Sequence, residues 1–397
     1  MWVSLGKKGL FNHPSGFPSD NFPLTILPFC GYSFFTPMHG ADLNYPALKQ
    51  ELKSKVAIQQ GQFMNCPCFV GDDHRQKMGL LEVKNLEVIF PTLWGTVRAV
   101  HNVDLRQETG ETVGLVGESG AGKSMLGRSL MGLIPYPGQI PRGQIFWKGE
   151  DLRQKREKEM RKIRSKEIAM VFQDPISALN PLKKIGDQLL EAVFLHQTLR
   201  KEEAMDLAIR RMGDVGIPRP EISIQNFPHQ YSGGMLQRIV IALALINDPA
   251  LVIADEPTTA LDVTIQAQIL QLLKDLQSAR KMSVLMITHN LGIVAQFCSR
   301  IYVMYAGKMV EHADTHNLFH RPLHPYTRGL LRSVIRLNQK TRRVETMAGL
   351  MPDLIHMPPG CAFHPRCDQS RDVCRQETPE WREVEKEHWV ACHQKSS

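Results

Sequence analysis

From residue 81 the chain reads Leu81-Glu82-Val83-Lys84-Asn85-Leu86-Glu87-Val88, an apolar–polar alternation with the period of a half-buried strand. Residues 113–116, 251–254 and 284–288 are instead short unbroken apolar runs, the pattern of strands covered on both faces. Longer helical stretches lie between them, and the apolar run at residues 239–246 is the clearest. Strands alternating with helices from residue 78 to about 310 predict an α/β fold with a largely parallel core sheet. Residues 1–77 are rich in Pro, Gly and isolated aromatics and keep no period, which suggests an irregular extension or an upstream start codon, the second being preferred. Beyond about residue 320 Pro, His and Cys become frequent, and residues 319–397 read as a separate C-terminal appendage.

Composition narrows the class. Charged residues at 22% and aromatics at 7% are those of an ordinary folded chain. No stretch reaches the roughly 18–20 apolar residues of a membrane helix. The best candidate, residues 22–35, is short and interrupted by Pro23, Pro28 and Gly31, and it lacks the layout of a secretory signal. A cytoplasmic protein is expected, with any membrane role coming through partners. The net charge of +8 suits nucleic acid, a membrane surface or phosphorylated ligands without choosing among them. The basic stretch 153–166 is interleaved with Glu157 and Glu159 and reads as a solvated helix.

The first chemistry follows the apolar run 113–116. Gly117-Glu118-Ser119-Gly120-Ala121-Gly122-Lys123-Ser124 is a complete GxxxxGK[ST] phosphate-binding loop between a strand and a helix. Glycines let the backbone wrap the phosphates, so that successive N–H groups and a helix N-terminus face the anion. Lys123 can reach the β- and γ-phosphates of ATP, and the Ser124 hydroxyl suits Mg²⁺.

Two further segments follow in order. Tyr231-Ser232-Gly233-Gly234-Met235-Leu236-Gln237 precedes the apolar helix, with Ser232 placed as its N-cap. The apolar strand 251–254 then ends in Asp255 and Glu256. Asp255 suits Mg²⁺ coordination through water, and Glu256 suits a general base that polarises the attacking water.

Taken together, residues 80–315 resemble the ABC ATPase family. The resemblance implies a P-loop ATPase with an antiparallel β subdomain and a helical insert at about 187–245, inside a domain spanning 78–318. Ser232, Gly233 and Gly234 correspond to the signature motif, with Tyr231 and Met235 in place of its usual Leu and Gln. Gln173 corresponds to the Q-loop glutamine, Asp262 (in Ala260-Leu261-Asp262) to the D-loop, and His289 to the switch histidine. Phe90 is the candidate for stacking on adenine, though a strand Phe also suits plain core. The family mechanism implies two ATPs sandwiched in a head-to-tail dimer, each P-loop completed by the signature motif of the other subunit.

Of the eight cysteines, Cys298 reads as core, and Cys66-Pro67-Cys68 is too close-spaced to argue for a metal site. Cys361, Cys367, Cys374 and Cys392 gather near the end. In a reducing compartment they suit zinc, an iron–sulfur cluster or incidental thiols. His324-Pro325-Tyr326-Thr327, then Gly329-Leu330-Leu331, resembles the tail of dipeptide and oligopeptide permease ATPases. That resemblance implies a [4Fe–4S] cluster on the four cysteines, with His364 and His393 as bystanders. It also implies a second ATPase subunit, identical or paralogous, two membrane permeases and a periplasmic or extracellular solute-binding protein. The place would be the cytoplasmic face of the inner membrane, and no nucleic acid is expected. Relatives importing nickel or glutathione, and soluble ABC ATPases, are the competing readings. A regulator without hydrolysis is disfavoured by the presence of both Glu256 and His289.

Overall fold

The computed structural model describes residues 79–259, 261–333 and 347–394. The expectations for residues 1–77, for Cys66 and Cys68, and for Ala260 lie outside them. In chain order come β1 (Leu81–Thr92), β2 (Gly95–Gln107), β3 (Thr112–Val116) and helix α1 (Lys123–Leu130). Then follow β4 (Gln139–Trp147), β5 (Glu150–Asp151) and β6 (Ile168–Val171). Helices α2 (Ile185–Phe194), α3 (Lys201–Asp214) and α4 (Gly233–Leu245) precede β7 (Leu251–Asp255). The chain continues through α5 (Val263–Arg280), β8 (Ser283–Thr288), β9 (Arg300–Tyr305) and β10 (Lys308–Asp314). Helix α6 (Pro325–Arg332) and the short strands β11 (Arg382–Glu385) and β12 (His388–Val390) complete it.

Two sheets result. The strands with an apolar–polar rhythm form the antiparallel sheet, ordered β2-β1-β4-β5. The unbroken apolar runs form the larger sheet, ordered β11-β12-β10-β9-β3-β8-β7-β6, in which β9-β3-β8-β7-β6 are parallel. Every residue of β7 and β8 is buried, which is why their sequences lack alternation. The short surface helix Glu157–Ile163 carries the basic stretch, and Glu157 pairs there with Arg161 and Arg164 at 3.3 and 2.7 Å. Between β6 and β7, α2, α3 and α4 bury Leu189, Val193, Ala204, Ala208, Met212 and Ile241 against one another.

The C-terminal region is built into the core sheet. β12 pairs antiparallel with β10, Glu311 opposite Val390 and His312 opposite Trp389. Glu311 is fully buried and accepts from the N–H groups of Leu323 (2.6 Å) and His324 (3.0 Å); its other contact is His388 Nε2 at 2.9 Å. Tyr326 at the start of α6 and Phe363 pack on Tyr305 of β9, with ring centroids 4.6 and 5.2 Å away. These rings belong to the same apolar cluster as Val116, the last residue before the phosphate loop.

Candidate active site

The loop Gly117–Gly122 leaves β3 and enters α1 between two backbones. A Cβ on Gly117 would stand 2.2 Å from the Met304 carbonyl oxygen, and one on Gly122 would stand 2.1 Å from that of Ala99. Gly122 is also left-handed, with φ 103°, so only glycine lets the loop lie this close to β9 and β2. Lys123 is buried, and its Nζ donates to the carbonyls of Gly117 (2.9 Å) and Glu118 (2.8 Å). Burial lowers its pKa below the ordinary lysine value, opposed by the charges of Glu256, Asp255 and Glu118. The loop amides and the α1 N-terminus make this a cradle for anionic phosphate.

Beside it, Ser124 Oγ donates to Asp255 Oδ1 at 2.8 Å. Asp255 ends β7 and is buried; burial raises its pKa against the pull of the Ser124 bond and the Arg128 charge. Two hard oxygen ligands held together at the cradle match the donor preference of Mg²⁺.

Glu256 is the first residue past β7, and its backbone is left-handed, with φ 47°. Such a conformation in a non-glycine residue is strained and is held by its surroundings. Here its N–H donates to the Ile287 carbonyl at 2.8 Å. The turn delivers the carboxylate to three partners. Thr259 Oγ1 donates to Oε2 at 2.8 Å, Gln173 Nε2 donates to Oε2 at 3.3 Å, and His289 Nδ1 lies 3.2 Å from Oε1. Burial pushes the Glu256 pKa up, but the His289 and Thr259 bonds and the Lys123 charge outweigh it and leave it below the ordinary value. The group is therefore an anion near neutral pH.

The sequence-predicted residues thus divide into two surfaces. Lys123, Ser124, Gln173, Asp255, Glu256 and His289 belong to one linked cluster. Ser232, Gly233, Gly234 and Asp262 belong to the other. Ser232 caps α4, accepting from the Met235 N–H at 3.4 Å, and both Ser232 and Gly233 are exposed. A Cβ on Gly234 would meet Ile265 at 2.8 Å, so α4 rests on α5 just past Asp262, and Asp262 and Val263 face solvent. Phe90 stands apart on β1, half-buried, its ring against Gly138.

Cys361, Cys367, Cys374 and Cys392 line one small cavity together with His324, His364 and His393. Burial pushes the Cys367 thiol up to about 11 and raises those of Cys361 and Cys392 as well. Among the described residues no group of three or more His, Cys, Asp or Glu side chains is gathered closely enough to hold a metal ion. His364 Nδ1 and His393 Nε2 lie at the carbonyls of Cys361 (3.0 Å) and Glu377 (2.8 Å). Cys298 is buried in the main core.

Sequence reasoning missed Thr259, Tyr326 and Arg366 as neighbours of the site. Arg366 donates to both carboxylate oxygens of Glu118, at 2.8 and 3.0 Å, and Tyr326 Oη accepts from the Glu118 N–H at 2.9 Å. Tyr326 lay inside a motif the sequence singled out, but nothing local pointed it at the loop.

Comparison with known proteins settles the family. Residues 100–259 match the ABC transporter family, and residues 310–374 match the oligopeptide/dipeptide transporter C-terminal region. A dipeptide transport ATP-binding protein of Bacillus subtilis is 48% identical over 314 residues, 79% of this chain and 94% of the relative. The chain belongs to the ABC transporter ATP-binding family. Another member, the dipeptide transport ATP-binding protein of Escherichia coli, is 45% identical over 302 residues, 76% of this chain and 92% of its own. A solved dimeric ATP-binding cassette in a post-hydrolysis state, bound to ADP and Pi, superposes with TM-score 0.54 at 27% identity, over 59% of this chain and 98% of the cassette. As an ABC ATPase the chain uses ATP with Mg²⁺. Among its described residues no helix is long and apolar enough to cross a membrane.

Proposed function

We propose that this ABC ATPase energises a dipeptide or oligopeptide importer from the cytoplasmic face of the inner membrane. The observation that carries the mechanism is the meeting of Gln173, Glu256 and His289 beside the Ser124–Asp255 pair and the buried Lys123. Support for peptide as cargo comes from the relatives, which are dipeptide and oligopeptide transport ATP-binding proteins.

In this reading Gly117, Glu118, Ser119, Gly120, Ala121 and Gly122 present the loop to the phosphates and Lys123 neutralises them. Mg²⁺, held by Ser124, Asp255 and Gln173, offsets phosphate charge when bound. Glu256, kept ionised, accepts a hydrogen bond from the attacking water and polarises it, and His289 orients its carboxylate and reaches toward the γ-phosphate. Phe90 offers an aromatic face to adenine. The exposed Ser232, Gly233, Gly234 and Asp262 complete the site of a second ATPase subunit in a head-to-tail pair, so one chain holds half of each site. The groove between α2 and the β6 end, with Leu195 and Phe172 on its walls, is the seat for a permease segment. Two permeases and a solute-binding protein complete the assembly.

A [4Fe–4S] cluster on Cys361, Cys367, Cys374 and Cys392 belongs to the same reading. Their convergence on one cavity supports it. Iron content and visible absorption of anaerobically purified protein, with Cys→Ser variants, decide that point. For the ATPase, Glu256→Gln should cut turnover about 100-fold or more and accumulate an ATP-bound dimer by light scattering. Near-normal turnover would remove Glu256 from the role of base. Purification from native membranes in mild detergent should recover permeases and a peptide-binding protein; ribosomes or nucleic acid instead would refute the importer.

A further inference from the structure

We propose that Arg366 is a positioning residue for the nucleotide site, holding the phosphate loop in shape through Glu118. This rests on reading the loop as the ATP site. All three polar groups of Glu118 are engaged. Its N–H donates to Tyr326 Oη at 2.9 Å, its carbonyl accepts from Lys123 Nζ at 2.8 Å, and its carboxylate accepts two bonds from Arg366. Two of these three partners come from beyond residue 320. The second residue of the loop is therefore shaped by the C-terminal region.

The guanidinium is built into its place. Its side chain is only 6% exposed, lies 5.8 Å from the Tyr305 ring centroid and 6.0 Å from that of Phe363, and donates from Nε to the Ala348 carbonyl at 3.0 Å. A bidentate guanidinium–carboxylate pair fixes direction as well as distance, which a lysine cannot do. The pair also has an electrostatic office. Glu118 puts a negative charge in a loop that must receive polyphosphate, and Arg366 neutralises it there. Without Arg366 the loop would meet the nucleotide with an unpaired carboxylate and a side chain free to swing.

Arg366 sits in a turn strung between two of the clustered cysteines. Cys361 N–H donates to the Cys374 carbonyl at 2.8 Å, His364 N–H to the Cys361 carbonyl at 3.0 Å, and Arg366 N–H to the Phe363 carbonyl at 3.0 Å. The backbone that carries the cysteines thus sets where the guanidinium lies, and the cysteine segment is mechanically joined to the phosphate loop.

The test is equilibrium binding of a fluorescent ATP analogue to the full chain, with steady-state hydrolysis alongside. Arg366→Ala should weaken binding by about tenfold, a usual size for coupling between sites, and raise KM more than it lowers kcat. Arg366→Lys should fall between it and wild type. Adding Glu118→Gln to Arg366→Ala removes the unpaired charge and should recover the electrostatic share of the lost affinity, while the share owed to loop shape stays lost. A purely structural Arg366 would give no such rescue, so a double variant as weak as Arg366→Ala overturns the proposal, as does an unchanged Kd in Arg366→Ala. Should Arg366→Ala fail to fold, Arg366→Lys with and without Glu118→Gln gives the same comparison. Lys123→Ala serves as the separate control: retained binding there would refute the ATP-site reading itself, whatever Arg366 does.

Discussion

Replacing Glu311 with alanine probes how firmly the C-terminal strand is fastened. The side chain is 0% exposed and faces three donors, the N–H groups of Leu323 and His324 and the ring of His388, itself 1% exposed. Alanine leaves all three without a partner, two of them at the fully buried His324 and His388. Each orphaned donor costs about 1 kcal/mol or more, and breaking a buried pair as a whole costs about 3–5 kcal/mol. The expected loss is therefore about 3–5 kcal/mol, with β12 released first because it meets β10 through only two paired positions. Trp381 and Trp389 stack with centroids 6.1 Å apart at that strand, so urea unfolding followed by tryptophan fluorescence reads the detachment directly. Glu311→Gln keeps one oxygen acceptor and should lose less than alanine does. A cost below about 1 kcal/mol for Glu311→Ala would refute the reasoning, because orphaned buried donors cannot be that cheap.

Further outcomes follow from the geometry. Gly122→Ala drives a Cβ to 2.1 Å from the Ala99 carbonyl in a left-handed residue, so nucleotide binding should fall by at least tenfold; Gly213→Ala, exposed on α3 with nothing within 4 Å, should be neutral or stabilise by up to about 1 kcal/mol. Burial, aided by Arg300 and His388 and opposed by Asp314, holds the His312 pKa down to about 3, and burial takes His324 to about 4. In the unfolded chain these rings protonate near 6.5, so their neutral form supports folding fully above that pH and the support is lost as pH falls toward 4. Between pH 6.5 and pH 5 each should cost about 2 kcal/mol. His312→Phe keeps the stacking on Tyr302 and should remove about half of that acid sensitivity in denaturant titrations at pH 7 and pH 5; an unchanged sensitivity would exonerate His312.

What the sequence disclosed was local. The phosphate loop, the strand ending in Asp255 and Glu256, and the turn before α4 each carry their chemistry within a few consecutive residues, so spacing was enough. The parallel strands were legible for the same reason, since burial on both faces leaves an unbroken apolar run. What stayed hidden depends on partners far along the chain. Lys308–Asp314 places Glu311 and His312 inside a strand whose five central residues are all buried, which no apolar pattern would suggest. Glu311 can be there only because donors arrive from residues 323, 324 and 388. The partnership of Glu118 with Arg366 spans 248 positions, and an arginine between two cysteines advertises nothing about a loop that distant. β12 is three residues long and too short to announce itself.

The lateness of those partners in the chain bears on how the protein is born. The phosphate loop leaves the ribosome long before residue 366, and the strand that borders β10, His388–Val390, emerges later still. A nascent chain can pair β3 with β8 and β9, and β9 with β10, once residue 314 is out, yet Glu118 then still lacks its guanidinium and Glu311 its imidazole. Nucleotide capture in its finished form thus waits until residue 366 has emerged. Chains truncated by a premature stop would carry the whole phosphate loop and still be marked as incomplete by an unpaired carboxylate beside it.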